Sequence, residues 1–379
     1  MNRIILIGNG FDLAHGLKTS YTHFIDWYWD KRVTALRTEM TYKSSDILCS
    51  LEINPDQCKS WYAYFQQHER ELKSKTVKEI AKEFGKNNTL FRVTKSDLFK
   101  WISSSIPQWS NIENTYYRLL FPPAGNGPFP QATTSELNQQ LAFVREQLIE
   151  YLKTVQNVIS EKIVIDRLKE VMIEPFDKNT ISVQSMGQNG ELKLRFINAE
   201  ANKRSVNPDR ILMLNFNYTT LADLYLPKAK SYTVNHIHGV LSDPDSVIFG
   251  YGDEMDPNYK TMLDKNDNEY LRYIKHYRYL ETSKYREFLE FIESYPFQVY
   301  IMGHSCGISD RTMLNTMFEH RNCVSIKPFY FRKEDGTDNH LELVQNISRN
   351  FTDMKLMRDR VVPKTLCEPY SDLSIITSL

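Results

Sequence analysis

The chain has 379 residues with 47 acidic and 47 basic side chains, 41% hydrophobic and 25% charged. These values fit a soluble globular protein of one large or two ordinary domains. Zero net charge removes the general electrostatic case for nucleic-acid or membrane affinity.

Cys49, Cys58, Cys306, Cys323 and Cys367 are odd in number and scattered, with no Cys-x-x-Cys pair. That pattern argues against a disulfide framework and against a structural zinc site, and it points to a reducing compartment. The opening apolar run is only four residues long before glycine interrupts it, too short for a signal peptide. No stretch approaches the ~18 apolar residues of a membrane helix. The expectation is a cytoplasmic protein without a metal.

Ile4 to Ile7 reads as a short buried parallel strand, Gly8-Asn9-Gly10 as the turn that ends it, and Phe11 to His15 as a helix start. A strand, a glycine turn and a helix start together suit an anion, because glycine lets backbone N–H groups approach a phosphate. A dinucleotide fingerprint would have its third glycine at Leu13; here the next glycine is Gly16. Phe24, Trp27 and Tyr28 share a helical spacing and read as a packed helix face.

From about Ser45 to Met172 the pattern predicts mainly helix, with helices over Trp61–Lys75 and Lys95–Ser105. Phe121 to Pro130 is a proline- and glycine-rich loop. A long amphipathic pattern runs from Leu137 to about Glu170, burying Leu141, Val144, Leu148, Leu152, Val155 and Ile159. The alternation over Leu192–Ile197 predicts an edge hairpin. Further strands are predicted at Ile211–Leu214, Tyr232–Gly239, Ser246–Asp253, Gln298–Gly303 and Val324–Tyr330, with helices through Leu224, over Tyr270–Tyr295 and through His320.

Strands alternating with helices imply an α/β fold, a Rossmann-like parallel sheet with helices on both faces. The division expected is a discontinuous nucleotide-binding core of residues 1–30 and 205–335, a mainly helical insertion of residues 31–204, and a C-terminal extension of residues 336–379 packed on the core.

Ligands of such sheets sit at the carboxyl ends of the strands. Gly8-Asn9-Gly10, Asn215 with Asn217, His236 with His238, and Gly303-His304-Ser305 each end a predicted strand. Convergent polar groups of this kind make a candidate nucleotide site. Singly, Asn217 could cap a helix, His238 could be satisfied by backbone, and Ser305 and Asp310 could be turn and capping residues. His236 and His238 alternate and should face the same side, without a third metal ligand at useful spacing. Asp12 fits the first turn of a helix and would lie toward a ribose or a water. Cys306 has no partner base nearby in sequence.

Ile7 through Tyr21, Asn215-Phe-Asn-Tyr-Thr-Thr220, Asn235-His-Ile-His-Gly239, Phe249-Gly-Tyr-Gly-Asp-Glu254 and Gly303-His-Ser-Cys-Gly-Ile-Ser-Asp310 resemble the bacterial AbiH family of phage abortive-infection proteins. That family is distantly similar to sirtuin-like domains, whose sheet binds NAD. The resemblance places Gly8, Gly10, Gly16, Gly303 and Ser305 around the nucleotide, with Asn217 and His238 as catalytic residues; Asn9, Phe11, Asp12, Asn215, His304 and Asp310, on the same segments, are expected to complete the nucleotide site. Thr219 stands where the sirtuin motif has an acid, Asp12 replaces a serine, and the four-cysteine zinc module is missing. Deacetylation is therefore not implied. The implied activity is NAD hydrolysis to nicotinamide and ADP-ribose, with a non-catalytic nucleotide sensor as the alternative. The expected partners are NAD or a related nucleotide, with a phage-encoded trigger and a homo-oligomer left open, and neither membrane nor specific nucleic acid.

Overall fold

The computed structural model describes residues 1–38, 43–53, 91–105, 109–121, 132–226, 229–252 and 254–370. Its strands are β1 (Asn2–Ile7), β2 (Lys43–Ser45), β3 (Cys49–Ile53), β4 (Phe91–Lys95), β5 (Ile211–Asn215), β6 (Tyr232–His236), β7 (Phe297–Met302) and β8 (Cys323–Phe329). The chain divides into two compact units. One holds residues 1–18, 154–259 and 274–379; the other holds residues 19–153 and 260–273.

The first unit is built on a parallel sheet in the order β6-β5-β1-β7-β8. β1 lies at its centre, paired with β5 through Ile4↔Leu212 and with β7 through Ile4↔Val299. All of β1, β5, β7 and β8 is buried, which is why these segments read as unbroken apolar runs rather than alternating ones.

The two faces of the sheet are covered by different helices. Ile4, Leu6, Leu214, Val299 and Ile301 pack with Phe288 and Phe291 of the helix Lys284–Ser294 and with Leu314 and Phe318 of the helix Arg311–Phe318. On the other face Val324 packs with Phe176 and with Leu192 and Phe196 of the helix Gly190–Ala201. Arg3 is fully buried there, its guanidinium stacked 4.6 Å from the Phe176 ring and 4.2 Å from the Tyr300 ring. It donates to the Met172 and Glu174 carbonyls and to Gln298 Oε1. Those three bonds and the two ring faces offset part of the cost of burying the charge.

Three expectations are corrected. Leu192–Ile197 is helical, not a hairpin: Leu192 and Phe196 are buried one turn apart, while Leu194 and Ile197 are exposed. Ser246–Asp253 does not form a strand in the described residues; Val247, Ile248 and Phe249 are buried, but the segment contributes only an isolated bridge, Tyr251↔Ile274. The long pattern after Leu137 is broken, with helices at Thr134–Gln156 and Asp166–Ile173.

The second unit carries the helix Tyr21–Thr38, in which Phe24 and Tyr28 are buried as their spacing predicts. It is not helical throughout: β2, β3 and β4 form an antiparallel sheet in that order. These short strands contain many polar residues and give little periodic signal. Tyr28 packs edge-on against Phe99 at 5.3 Å, from the helix Asp97–Ser105. The expected helix at Trp61–Lys75 lies outside the described residues, as does nearly all of the loop predicted at Phe121–Pro130. No described helix is long and apolar enough to cross a membrane.

The ends of β1 and β7 meet backbone to backbone. Gly8 N–H donates to the Met302 carbonyl and Gly10 N–H to the Gly303 carbonyl. Gly303 has φ of +75°, and a Cβ there would lie 2.1 Å from Phe11 N and 2.6 Å from Gly10 C. Gly16 has nearly the same φ, +74°, with open space around it. Gly303→Ala should therefore cost about 2–5 kcal/mol, from strain plus crowding. Gly16→Ala should cost about 1 kcal/mol, from strain alone. Urea unfolding of the two variants measures the difference; equal losses would show that the close approach is not maintained in solution.

Candidate functional site

The polar strand ends predicted from sequence leave the carboxyl edge of the parallel sheet and fall into two buried groups. The first surrounds Asp12, in the short helix Asn9–Ala14 that follows β1. Asn217 Nδ2 donates to Asp12 Oδ1 at 2.8 Å and to the Gly8 carbonyl at 3.0 Å, and Thr219 Oγ1 donates to Asp12 Oδ2 at 2.7 Å. Asn215 Oδ1 accepts from Asn217 N–H and fixes the turn leaving β5. Thr219 thus supplies a donor to the acid of the other loop. With its amide nitrogen committed, Asn217 keeps Oδ1 without a donor among the described residues.

The second group centres on Asp310, just before the helix Arg311–Phe318. Lys275 Nζ lies 2.8 Å from Asp310 Oδ1, His238 Nε2 is 3.4 Å from the same oxygen, and His304 Nε2 is 3.7 Å from Oδ2. His238 Nε2 is also 3.1 Å from the Tyr279 hydroxyl. Phe216 packs edge-on against both imidazoles, with ring centroids 4.8 Å from His238 and 4.4 Å from His304. Phe216, next to Asn217 in the chain, therefore packs against the histidine pair.

Electrostatics follow from burial. Burial alone would raise the Asp310 carboxyl, but Lys275 above all, with His238 and His304, holds it well below the usual carboxylate range. Burial pushes the His304 imidazole down to about 4. Its Nδ1 accepts from Cys306 N–H at 3.0 Å, so the proton of the neutral ring sits on Nε2, toward Asp310. Cys306 reaches that position with a left-handed φ of +53°. Burial drives its thiol well above the ordinary range, the opposite of an activated nucleophile.

The remaining predicted residues are distributed unevenly. Phe11 is buried against Tyr225 and His15. Asn9 is half-buried. The N–H groups of Gly8, Gly10 and Phe11 donate to the Met302, Gly303 and Gly8 carbonyls, so these three amides are occupied within the protein. Gly16 is exposed. Ser305 is exposed too, and its carbonyl accepts from Asn346. His236 and His238 do not share a side as expected. His236 ends β6 and contacts Asn215 and Asp223, whereas His238 lies beyond the strand in the Asp310 group.

Lys275 and Tyr279 were not foreseen. Lys275 is brought in by its own N–H, which donates to the Tyr251 carbonyl beside the Tyr251↔Ile274 bridge. In sequence it is one of several basic residues in a charged stretch predicted as helical, and no spacing marks it.

Asp12 supplies a pH test. Burial raises its carboxyl from 3.8 to about 7, against the opposing hydrogen bonds of Thr219 and Asn217. Between those values the folded chain holds a proton that the unfolded chain has released. The stability from this group is complete below about pH 4 and is lost as the pH rises through about 7. Asp12→Asn removes this dependence, and His304 is common to both proteins. Relative to the unaltered chain, the variant should gain about 2 kcal/mol between pH 5 and pH 8 in chemical denaturation. A difference that does not change with pH would place the Asp12 titration elsewhere.

Comparison with known proteins adds one finding. The family model for bacteriophage abortive infection AbiH matches residues 4–331. No curated protein and no solved structure gives a significant match. The matched region starts in β1 and runs past the end of β8, taking in both buried groups, and the chain belongs to the bacteriophage abortive infection AbiH family.

Proposed function

We propose that this AbiH protein is an effector of phage abortive infection that binds NAD and hydrolyses its nicotinamide–ribose bond. Family membership supports the role in phage defence. The strand order β6-β5-β1-β7-β8 supports a nucleotide site. It corresponds to the Rossmann-like order 3-2-1-4-5, in which ligands lie beyond the carboxyl ends where the winding reverses.

The observation that carries the proposal is that Asn217 and His238, on the connections leaving the adjacent strands β5 and β6, are each held by buried partners. Cleavage at a ribosyl carbon builds positive charge there and needs a directed water. Asn217 is fixed through its nitrogen, leaving Oδ1 as an acceptor that can orient a water. His238 faces an aspartate that Lys275 keeps ionised, and an ionised aspartate beside an imidazole holds the ring in one orientation. NAD would contribute the labile glycosidic bond. Its pyrophosphate is not accommodated by the Gly8, Gly10 and Phe11 amides, which are already donated. The reading therefore places the ribose end of a nucleotide, rather than its phosphates, at these strands.

A second reading, a nucleotide-binding sensor without turnover, is favoured by the burial of the Asp310 group: Lys275 is 2% and His238 5% exposed. One assay separates the two. Purified protein incubated with NAD, NADP and ATP, with and without lysate of phage-infected cells, should release nicotinamide. Asn217→Ala and His238→Ala should each slow that release by about 100-fold or more, as expected for loss of general acid–base or water-positioning groups. Binding of NAD without release under any condition would support the sensor and end the hydrolase reading.

A further inference from the structure

At the amino-terminal edge of the same sheet, away from the strand ends described above, a cavity of about 470 Å³ opens beside the starts of β7 and β8. Asn189 and Gly190 line it at the start of the helix Gly190–Ala201, and Arg360 lines it from the end of the helix Met354–Arg360. Asn189 Oδ1 caps the helix by accepting from Leu192 N–H at 2.9 Å. The amides of Gly190 and Glu191 donate to no group among the described residues. Space is open over Gly190, where a Cβ would meet no atom within 4 Å. Free amides at the start of a twelve-residue helix favour an anion.

Arg360 is an independent sign of the same chemistry. It is 6% exposed, its Nη1 donates to the Phe318 carbonyl at 2.5 Å, and its Nε is buried without a partner. No described carboxylate forms an ion pair with it. The bond to Phe318 fixes the side chain at a helix C-terminus, which offsets only part of a full positive charge. The nearest acid in the sequence, Asp359, also lines the cavity, but its carboxylate accepts from Ser182 Oγ, Val183 N–H and Gln184 N–H. A buried guanidinium without a counter-ion is costly, and an anionic ligand would supply what is missing.

We propose that this cavity binds a phosphate-bearing small molecule, with the phosphate between the Gly190 and Glu191 amides and the Arg360 guanidinium. The site lies at the opposite strand ends from the proposed NAD site and does not depend on NAD turnover.

The test is calorimetric titration of the full chain with inorganic phosphate at constant ionic strength, with sodium chloride as the control. Saturable binding by the unaltered protein is expected. Gly190→Glu places a carboxylate in the first turn of the helix, where the dipole tolerates it, and should weaken binding at least tenfold. If Gly190→Glu does not fold, Gln188→Glu at the same rim should weaken binding several-fold. No saturable phosphate binding, or unchanged affinity in the folded glutamate variant, would overturn the proposal.

Discussion

The close approach of two backbones, Gly8 to Gly10 against Gly303 and His304, underlies the rest of the sheet unit. A Cβ at Gly8 would lie 2.5 Å from His304 Cα, and one at Gly10 would lie 2.9 Å from Gly303 Cα. Removing side chains on both sides lets the loop after β1 and the loop after β7 share hydrogen bonds. The first loop thereby places Asp12 under Asn217 and Thr219, and the second carries His304 to Asp310. Glycines that suggest a phosphate cradle in sequence serve here as a seam between strand ends.

Two carboxylates then divide the polar work. Asp12 has neutral donors, Asn217 and Thr219, and burial makes its charged form expensive. Asp310 is slightly less enclosed and has an ammonium 2.8 Å away, and that partner, with His238 and His304, reverses the outcome. Identical side chains at neighbouring strand ends therefore sit on opposite sides of the ordinary carboxylate range, chiefly because of Lys275. Environments that push titratable groups apart in this way are typical of sites with chemistry to perform, although structural networks produce them as well.

The sheet was legible in sequence where strands are buried on both faces. β1, β5, β7 and β8 appear as short apolar runs, and their bounds fall within a residue or two of those predicted. Legibility failed where a local pattern is shared by two structures. Leu192, Leu194 and Phe196 alternate as in a strand, yet only the helical pair Leu192 and Phe196 is buried. Val247 to Phe249 is apolar because it is buried, and no strand pairing follows from that. Of the candidate site, Asn217, His238, His304 and Asp310 could be found because each follows a recognisable strand or glycine turn. Lys275 could not, since it arrives by a bridge between two irregular segments.

The position of β1 also bears on how the chain folds during synthesis. It is made well before β5 and β7, yet it is the central strand and lies between them. Parallel pairing at such separations is slow, because the loop must close before the contacts form. Until Phe297 to Met302 has been made, the apolar run Ile4 to Ile7 lacks one of its two neighbours, and the loop carrying His304 does not yet exist. The Asp310 group can therefore assemble only after residue 310 has been made, so a translation product that stops before it would lack the group altogether.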